Sequence, residues 1–146
     1  MLSTNTSARC PMAGVTLVEL LVVVTMIGIL SLVAVPSYRQ YIQRAHRTEA
    51  KTALLQLATN EERFYLANRT YGGTASLTAL GFPTGLTENS AYQITVPVAD
   101  ASTYTLTATP VAGGRIDMTT DAKCTSLSLT AQGVKTATGS DATSCW

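Results

Sequence analysis

Gly14-Val15-Thr16-Leu17-Val18-Glu19-Leu20 opens an apolar run that continues to Val35, and Glu19 is the only ionisable side chain within it. Roughly 20 predominantly apolar residues carry a helix across a bilayer, so residues 15–35 are expected to be a transmembrane segment. A carboxylate in such a segment costs about 2.5–3.5 kcal/mol at the bilayer centre. Its presence therefore asks for a function and a counter-charge.

Residues 1–14 are polar, carry one basic side chain, Arg9, and end in Met12-Ala13-Gly14. A secretory signal peptide or a plain N-terminal anchor also begins this way. Against a signal peptide, the run is longer than the ~7–15 residues of an ordinary signal core. Glu19 lies inside it, and Val33-Ala34-Val35-Pro36 is a poor cleavage site. The stretch Gly14 to Leu21, continued through Gly28 and Pro36, resembles the prepilin cleavage motif of type IV pilins and their secretion relatives. That family usually carries Phe after the cleaved glycine; here the residue is Val15. The resemblance implies that prepilin peptidase cuts between Gly14 and Val15, removes residues 1–14 with Cys10, and methylates the new amine of Val15.

The motif has a physical logic of its own. Cleavage creates a cationic amine at Val15, and positions i and i+4 share a helix face. A helix N-terminus also favours a carboxylate. Glu19 can thus meet its own amine or that of a neighbouring copy, and the residues leave both pairings open. The resemblance implies the second, which makes a costly charge into a device for axial register.

Gly28 and Pro36 interrupt the apolar half, and Pro36 is expected to kink the helix. Beyond it Tyr38, Tyr41, Ile42, Ala45, Ala53, Leu54, Leu57, Ala58, Phe64 and Tyr65 recur at three- and four-residue steps, an amphipathic pattern. Arg39, Arg44, Arg47, Glu49, Lys51, Glu61, Glu62 and Arg63 fall mostly between them and read as a polar face. The lone His46 reads as a solvated helix residue. A single helix over 15–67 would be roughly 80 Å long, so half of it must find partners outside the head; from Leu54 onward the stripe is expected to pack on the head, while Tyr38, Tyr41 and Ile42 are placed to pack on other subunits.

Net charge is +1, which offers no global electrostatic case for a nucleic-acid partner. No phosphate loop, nucleophile set or metal-spaced cluster appears, so neither an enzyme nor a cofactor or metal protein is expected. Asp100, Asp117, Asp121 and Asp141 are dispersed acids. Cys124 and Cys145, in a membrane-targeted chain, favour a disulfide over a metal site. Closing that loop of roughly 20 residues contributes about 3 kcal/mol in the chain-entropy account.

Residues 68–146 are expected to form a globular head. Asn68 to Gly73 ends the helix with turn chemistry. A connecting segment to about Asn89 carries Leu77, Leu80, Phe82 and Leu86 as core anchors. Strands follow, with Tyr92, Ile94 and Val96 alternating, then Tyr104, Leu106 and Ala108. Gly113-Gly114 signals a turn before Ile116 and Met118. Leu127 and Leu129 alternate next, and Gln132-Gly133 turns into Val134-Lys135-Thr136. The fold class is therefore α+β, a long N-terminal helix packed on an antiparallel meander of about four strands. This arrangement resembles the type IV pilin fold. The stretches Tyr65 to Tyr71, Tyr104 to Pro110 and Gly133 to Gly139 resemble PilE-like minor pilins.

The resemblance implies a structural, minor subunit of a bacterial type IV pilus serving adhesion, twitching motility or DNA uptake. Its partners would be other pilin subunits, prepilin peptidase, an inner-membrane assembly platform and, before assembly, lipid. It would begin as a single-pass inner-membrane protein with a periplasmic head and end in the extracellular filament. A pseudopilin of a type II secretion system and a tethered binding domain that never polymerises are the alternatives. No surface or DNA ligand is readable from the residues.

Overall fold

The computed structural model describes residues 14–112 and 117–146. The leader with Arg9 and Cys10, the Gly113-Gly114 turn and Ile116 lie outside the described residues. Helix α1 runs Leu17–Asn68, with Pro36 inside it. Residues through Arg39 belong to one compact unit, and Gln40–Trp146 form a second.

In the second unit four strands follow α1, namely β1 (Tyr92–Ala99), β2 (Tyr104–Pro110), β3 (Ser126–Thr130) and β4 (Lys135–Thr138). They pair antiparallel in the order β1-β2-β3-β4, a meander of sequence neighbours. Alternation puts Tyr92, Ile94, Val96, Tyr104, Leu106, Ala108, Leu127 and Leu129 on one face. There they form the core with Ala50, Ala53, Leu54 and Leu57 of α1. The opposite face is mostly Thr and Ser, as one-sided burial of an antiparallel sheet demands. The β1–β2 register shifts between Thr95 and Val98. Pro97 lies in that gap, where a residue without an N–H is tolerated.

The segment after α1 is held to both layers. Leu77 and Leu80 are buried, and Leu86 makes a bridge to Gln93 that covers part of the β1 edge. Met118 is core, as expected of an apolar residue, but it lies in a short 3-10 turn and not in a strand. The Asp117 carboxylate accepts the Thr119 N–H, and this local cap outcompetes strand pairing. A disulfide joins Cys124 to Cys145 across a separation of 21 residues. The Trp146 indole N–H donates to the Thr136 carbonyl at 2.6 Å, which ties the segment after Cys145 to β4.

Candidate functional site

In the first unit the helix start is built by Thr16. Its hydroxyl accepts the Glu19 N–H at 3.2 Å, and its carbonyl accepts the Leu20 N–H. Thr16-x-x-Glu19 is a capping-box pattern. The signal was present in the sequence, overshadowed by the apolar run around it. Gly14 and Val15 precede the helix, and Val15 is exposed. The apolar side chains that follow are bare, Leu17 being 79% and Leu32 76% exposed. Their mean hydropathy of 2.7 suits a membrane span.

The two hydroxyls deeper in the run, beyond Thr16, are satisfied within the helix. Thr25 donates to the Leu21 carbonyl and Ser31 to the Ile27 carbonyl, both at 2.7 Å, so neither brings an unpaired donor into an apolar medium. Gly28 lies between them with open space where a Cβ would be. Among the described residues the ion pairs are His46–Glu49 and Arg47–Asp121, and neither involves Glu19.

The second unit corrects three sequence expectations. Arg47, His46 and Glu61 do not form a solvated polar face: they are 8%, 7% and 0% exposed. Arg47 reaches across the head, donating from Nε and Nη2 to the two carboxylate oxygens of Asp121 at 2.6 Å each. That two-point geometry holds the guanidinium pKa up against the opposing effect of burial. His46 Nδ1 lies 2.9 Å from Glu49. Glu49 also accepts from the Asn89 N–H and side-chain amide. Burial pushes the Glu49 pKa up, but these hydrogen bonds prevail and hold it below the usual carboxylate range. Of the remaining acids, Asp100 accepts from Ser102 and Thr103 in a turn. No group of metal-ligating side chains forms among the described residues.

Glu61 accepts the Gly72 N–H at 2.7 Å through Oε2, while its buried Oε1 has no partner. Burial raises its pKa above the ordinary 4.5, and the Gly72 hydrogen bond only partly opposes this. A carboxyl raised in the folded state binds more protons folded than unfolded. Its stabilising contribution is complete below pH 4.5 and is lost as pH rises through the folded value. Glu61→Gln, which keeps an acceptor for Gly72, is expected to gain about 1 kcal/mol at pH 7 and little at pH 4. Urea unfolding at the two pH values measures this, and destabilisation at pH 7 would refute it.

Two clefts flank the buried stripe of α1. One, of about 510 Å³, lies against residues 81–88, with Phe82 and Pro83 beside Glu49 and Glu88. The other, of about 240 Å³, is lined by Arg44, Arg47, Asp121 and Lys123. Next to the second, burial lowers the Lys51 pKa, helped by the nearby charges of Arg47 and Lys135. The Lys135 ammonium also sits 5.4 Å from the centre of the Trp146 ring. Folding thus brings cations of α1 near Lys135 of β4, a local cluster that a net charge of +1 conceals.

A family model described as "Type IV minor pilin ComP, DNA uptake sequence receptor" matches residues 36–128. The type IV major pilin protein PilA of Myxococcus xanthus is 31% identical over 98 residues, covering 67% of this chain and 44% of that protein. A fimbrial protein of Pseudomonas aeruginosa is 34% identical over 77 residues, covering 53% of this chain and 50% of its own length. The chain spans about half the length of these curated relatives or slightly less. The crystal structure of the Neisseria meningitidis non-core minor pilin PilV matches with a TM-score of 0.51 at 24% identity. That match covers 69% of this chain and 91% of PilV, and it supports the fold. The helix-on-meander architecture and a family match across well over half of its residues agree: this chain belongs to the ComP family of type IV minor pilins.

Proposed function

We propose that this chain is a subunit of a type IV pilus whose polymerising element is the segment Val15–Val35. The observation that carries this reading is an exposed apolar helix bearing one carboxylate near a capped N-terminus. A plain anchor gains nothing from Glu19, whereas a filament core does. Prepilin peptidase removes residues 1–14 and methylates the Val15 amine. The subunit waits in the inner membrane with its head in the periplasm. An assembly platform then extracts it into a bundle where neighbouring helices replace lipid around residues 15–35. Gly28 and Pro36 supply the kink that lets this half of α1 fit the bundle. Glu19 meets the amine of an adjacent subunit, so a single axial stagger satisfies both charges. Names that read pilin and fimbrial protein favour a pilus over a secretion pseudopilus.

The test is Glu19→Ala in the full-length protein. Membrane insertion and head folding are expected to persist, while the content in sheared filaments falls about tenfold or more, since an unpartnered amine then enters an apolar core. Normal filament content would remove the charge-pairing mechanism.

A second reading adds duplex DNA as a ligand of the head, in keeping with the description of the matched family. Lys51 and Lys135 supply cations for duplex phosphates, and the Trp146 ring lies beside the Lys135 ammonium. Lys135→Ala is expected to lower the slope of log affinity against log salt by about 1, read by fluorescence anisotropy with a labelled duplex. An unchanged slope would exclude Lys135 from that surface.

A further inference from the structure

The head carries a basic cleft at the pole where α1 enters it. Gln40 is the first residue of the second unit, and with Gln43, Arg44 and Lys123 it lines the cleft of about 240 Å³. Arg47 and Asp121 also line it but cancel each other, which leaves two uncompensated cations. Arg44 and Lys123 are exposed, and neither takes part in an ion pair among the described residues. Helical Cα–Cβ bonds tilt towards the helix N-terminus, so Arg44 leans towards Gln40 and that pole. Tyr41, one turn earlier on the same face, is also exposed. The sequence puts these cations on an unexpected side. Lys and Arg near a transmembrane segment concentrate on its cytoplasmic flank. Here only Arg9 precedes the apolar run, whereas Arg39, Arg44 and Arg47 follow it. Asp121 accounts for Arg47, but no group among the described residues accounts for Arg44 or for the Lys123 that folding brings beside it.

We propose that this cleft holds the phosphate of an anionic phospholipid, of the phosphatidylglycerol type, in the periplasmic leaflet while the subunit waits in the membrane; this rests on the membrane-anchored reading above. Arg44 follows Val35 by nine residues, about 14 Å of helix. The headgroup layer is roughly 5–8 Å deep on each side of the hydrocarbon, and a long basic side chain covers the remainder by snorkelling. Gln40 and Gln43 add neutral amide donors for phosphate oxygens. Tyr41 suits the same level, where amphipathic rings collect. Lys123 comes from the turn before Cys124, so the site is complete only in a folded head. Lipid thus binds the cations that the translocated flank would otherwise carry unmatched. A DNA duplex would suit their charge, but a pole held at the bilayer is closed to it until extraction removes the lipid.

The full-length chain in nanodiscs of phosphatidylcholine with a minority of phosphatidylglycerol tests this. Native mass spectrometry reads which lipid stays with the chain, and phosphatidylglycerol is expected to be enriched over its share of the disc. Arg44→Gln and Lys123→Gln should each lower that enrichment about fivefold, the factor contributed by one cation at an anionic surface. Both residues are exposed, and unchanged amide exchange in β2 and β3 checks that the variants fold. Lys135→Gln should leave the enrichment unchanged; an equal loss there would mean diffuse attraction and overturn the site. Amide exchange should also show residues 119–124 protected in discs with phosphatidylglycerol and not in phosphatidylcholine alone. Free exchange of residues 17–35 in both discs would show a chain that is not inserted, and would overturn the membrane reading and this site with it. An inserted chain that retains the two lipids in their bulk ratio would overturn the lipid site alone. A duplex that protects residues 119–124 as fully with phosphatidylglycerol as without it would assign the cleft to DNA and likewise overturn the lipid contact.

Discussion

Arg47→Met is expected to lower the unfolding free energy of the head by about 3–5 kcal/mol, the cost of stranding a buried charge by removing its partner. Asp121 is 2% exposed, and both of its oxygens depend on the guanidinium at 2.6 Å. Tyr92 lies close by, its pKa pushed to about 12 by burial and by the Asp121 charge. Its hydroxyl has no hydrogen-bond partner. Met fills the volume of the Arg stem but leaves the carboxylate without a donor. The companion variant Arg47→Met/Asp121→Leu removes both charges and should recover most of the loss. Urea unfolding of the full chain in detergent measures both variants. A single-variant loss below about 1 kcal/mol would mean that water reaches Asp121 and pays for its charge.

Removing the disulfide is expected to cost about 3 kcal/mol, with the damage concentrated at β4. The bond closes a separation of 21 residues, for which loop entropy gives that magnitude. Strand β4 spans only Lys135–Thr138 and is largely exposed. It is held by β3 on one side and by the Trp146 indole on the Thr136 carbonyl. Cys124→Ala/Cys145→Ala frees the segment bearing Trp146, so amide exchange should accelerate most in β4 and least in β2. Uniform acceleration would refute a local role. The two losses are not independent, because the Cys124 N–H donates to the Asp121 carbonyl at 3.3 Å. A double-mutant cycle between Arg47→Met and the cysteine pair should show coupling.

The sequence made the architecture readable wherever period and side-chain type agreed. The run from Val15 to Val35 announced itself by composition, and Tyr92, Ile94 and Val96 by alternation. At His46 and Glu61 period and type disagreed, and position prevailed. Both lie on the stripe that passes through Ala50, Ala53, Leu54 and Leu57, so extending the helical repeat in each direction would have marked them as inward-facing. The Arg47–Asp121 pair joins residues 74 apart, a distance over which no local pattern operates. The apolar type of Met118 signals its burial but not its turn, because the cap on that turn resides in a single preceding side chain, Asp117. The cation cluster was hidden for the same reason as the ion pair, since Lys51 and Lys135 come together only once β4 is in place.

The meander has a consequence for how fast the head forms. Each strand pairs with its neighbour in sequence, so sheet closure needs shorter loops, and less chain entropy, than docking of α1 does. The long separations belong to α1, whose contacts with the strands and with Asp121 span tens of residues. Sheet assembly is therefore expected to precede docking of α1, and the helix to make its native contacts after the rate-limiting step. Substitutions in the β2–β3 hairpin should slow folding, whereas Arg47→Met should chiefly hasten unfolding. The guanidinium then acts as a latch on lifetime: it governs how long a folded head stays folded more than how soon it forms.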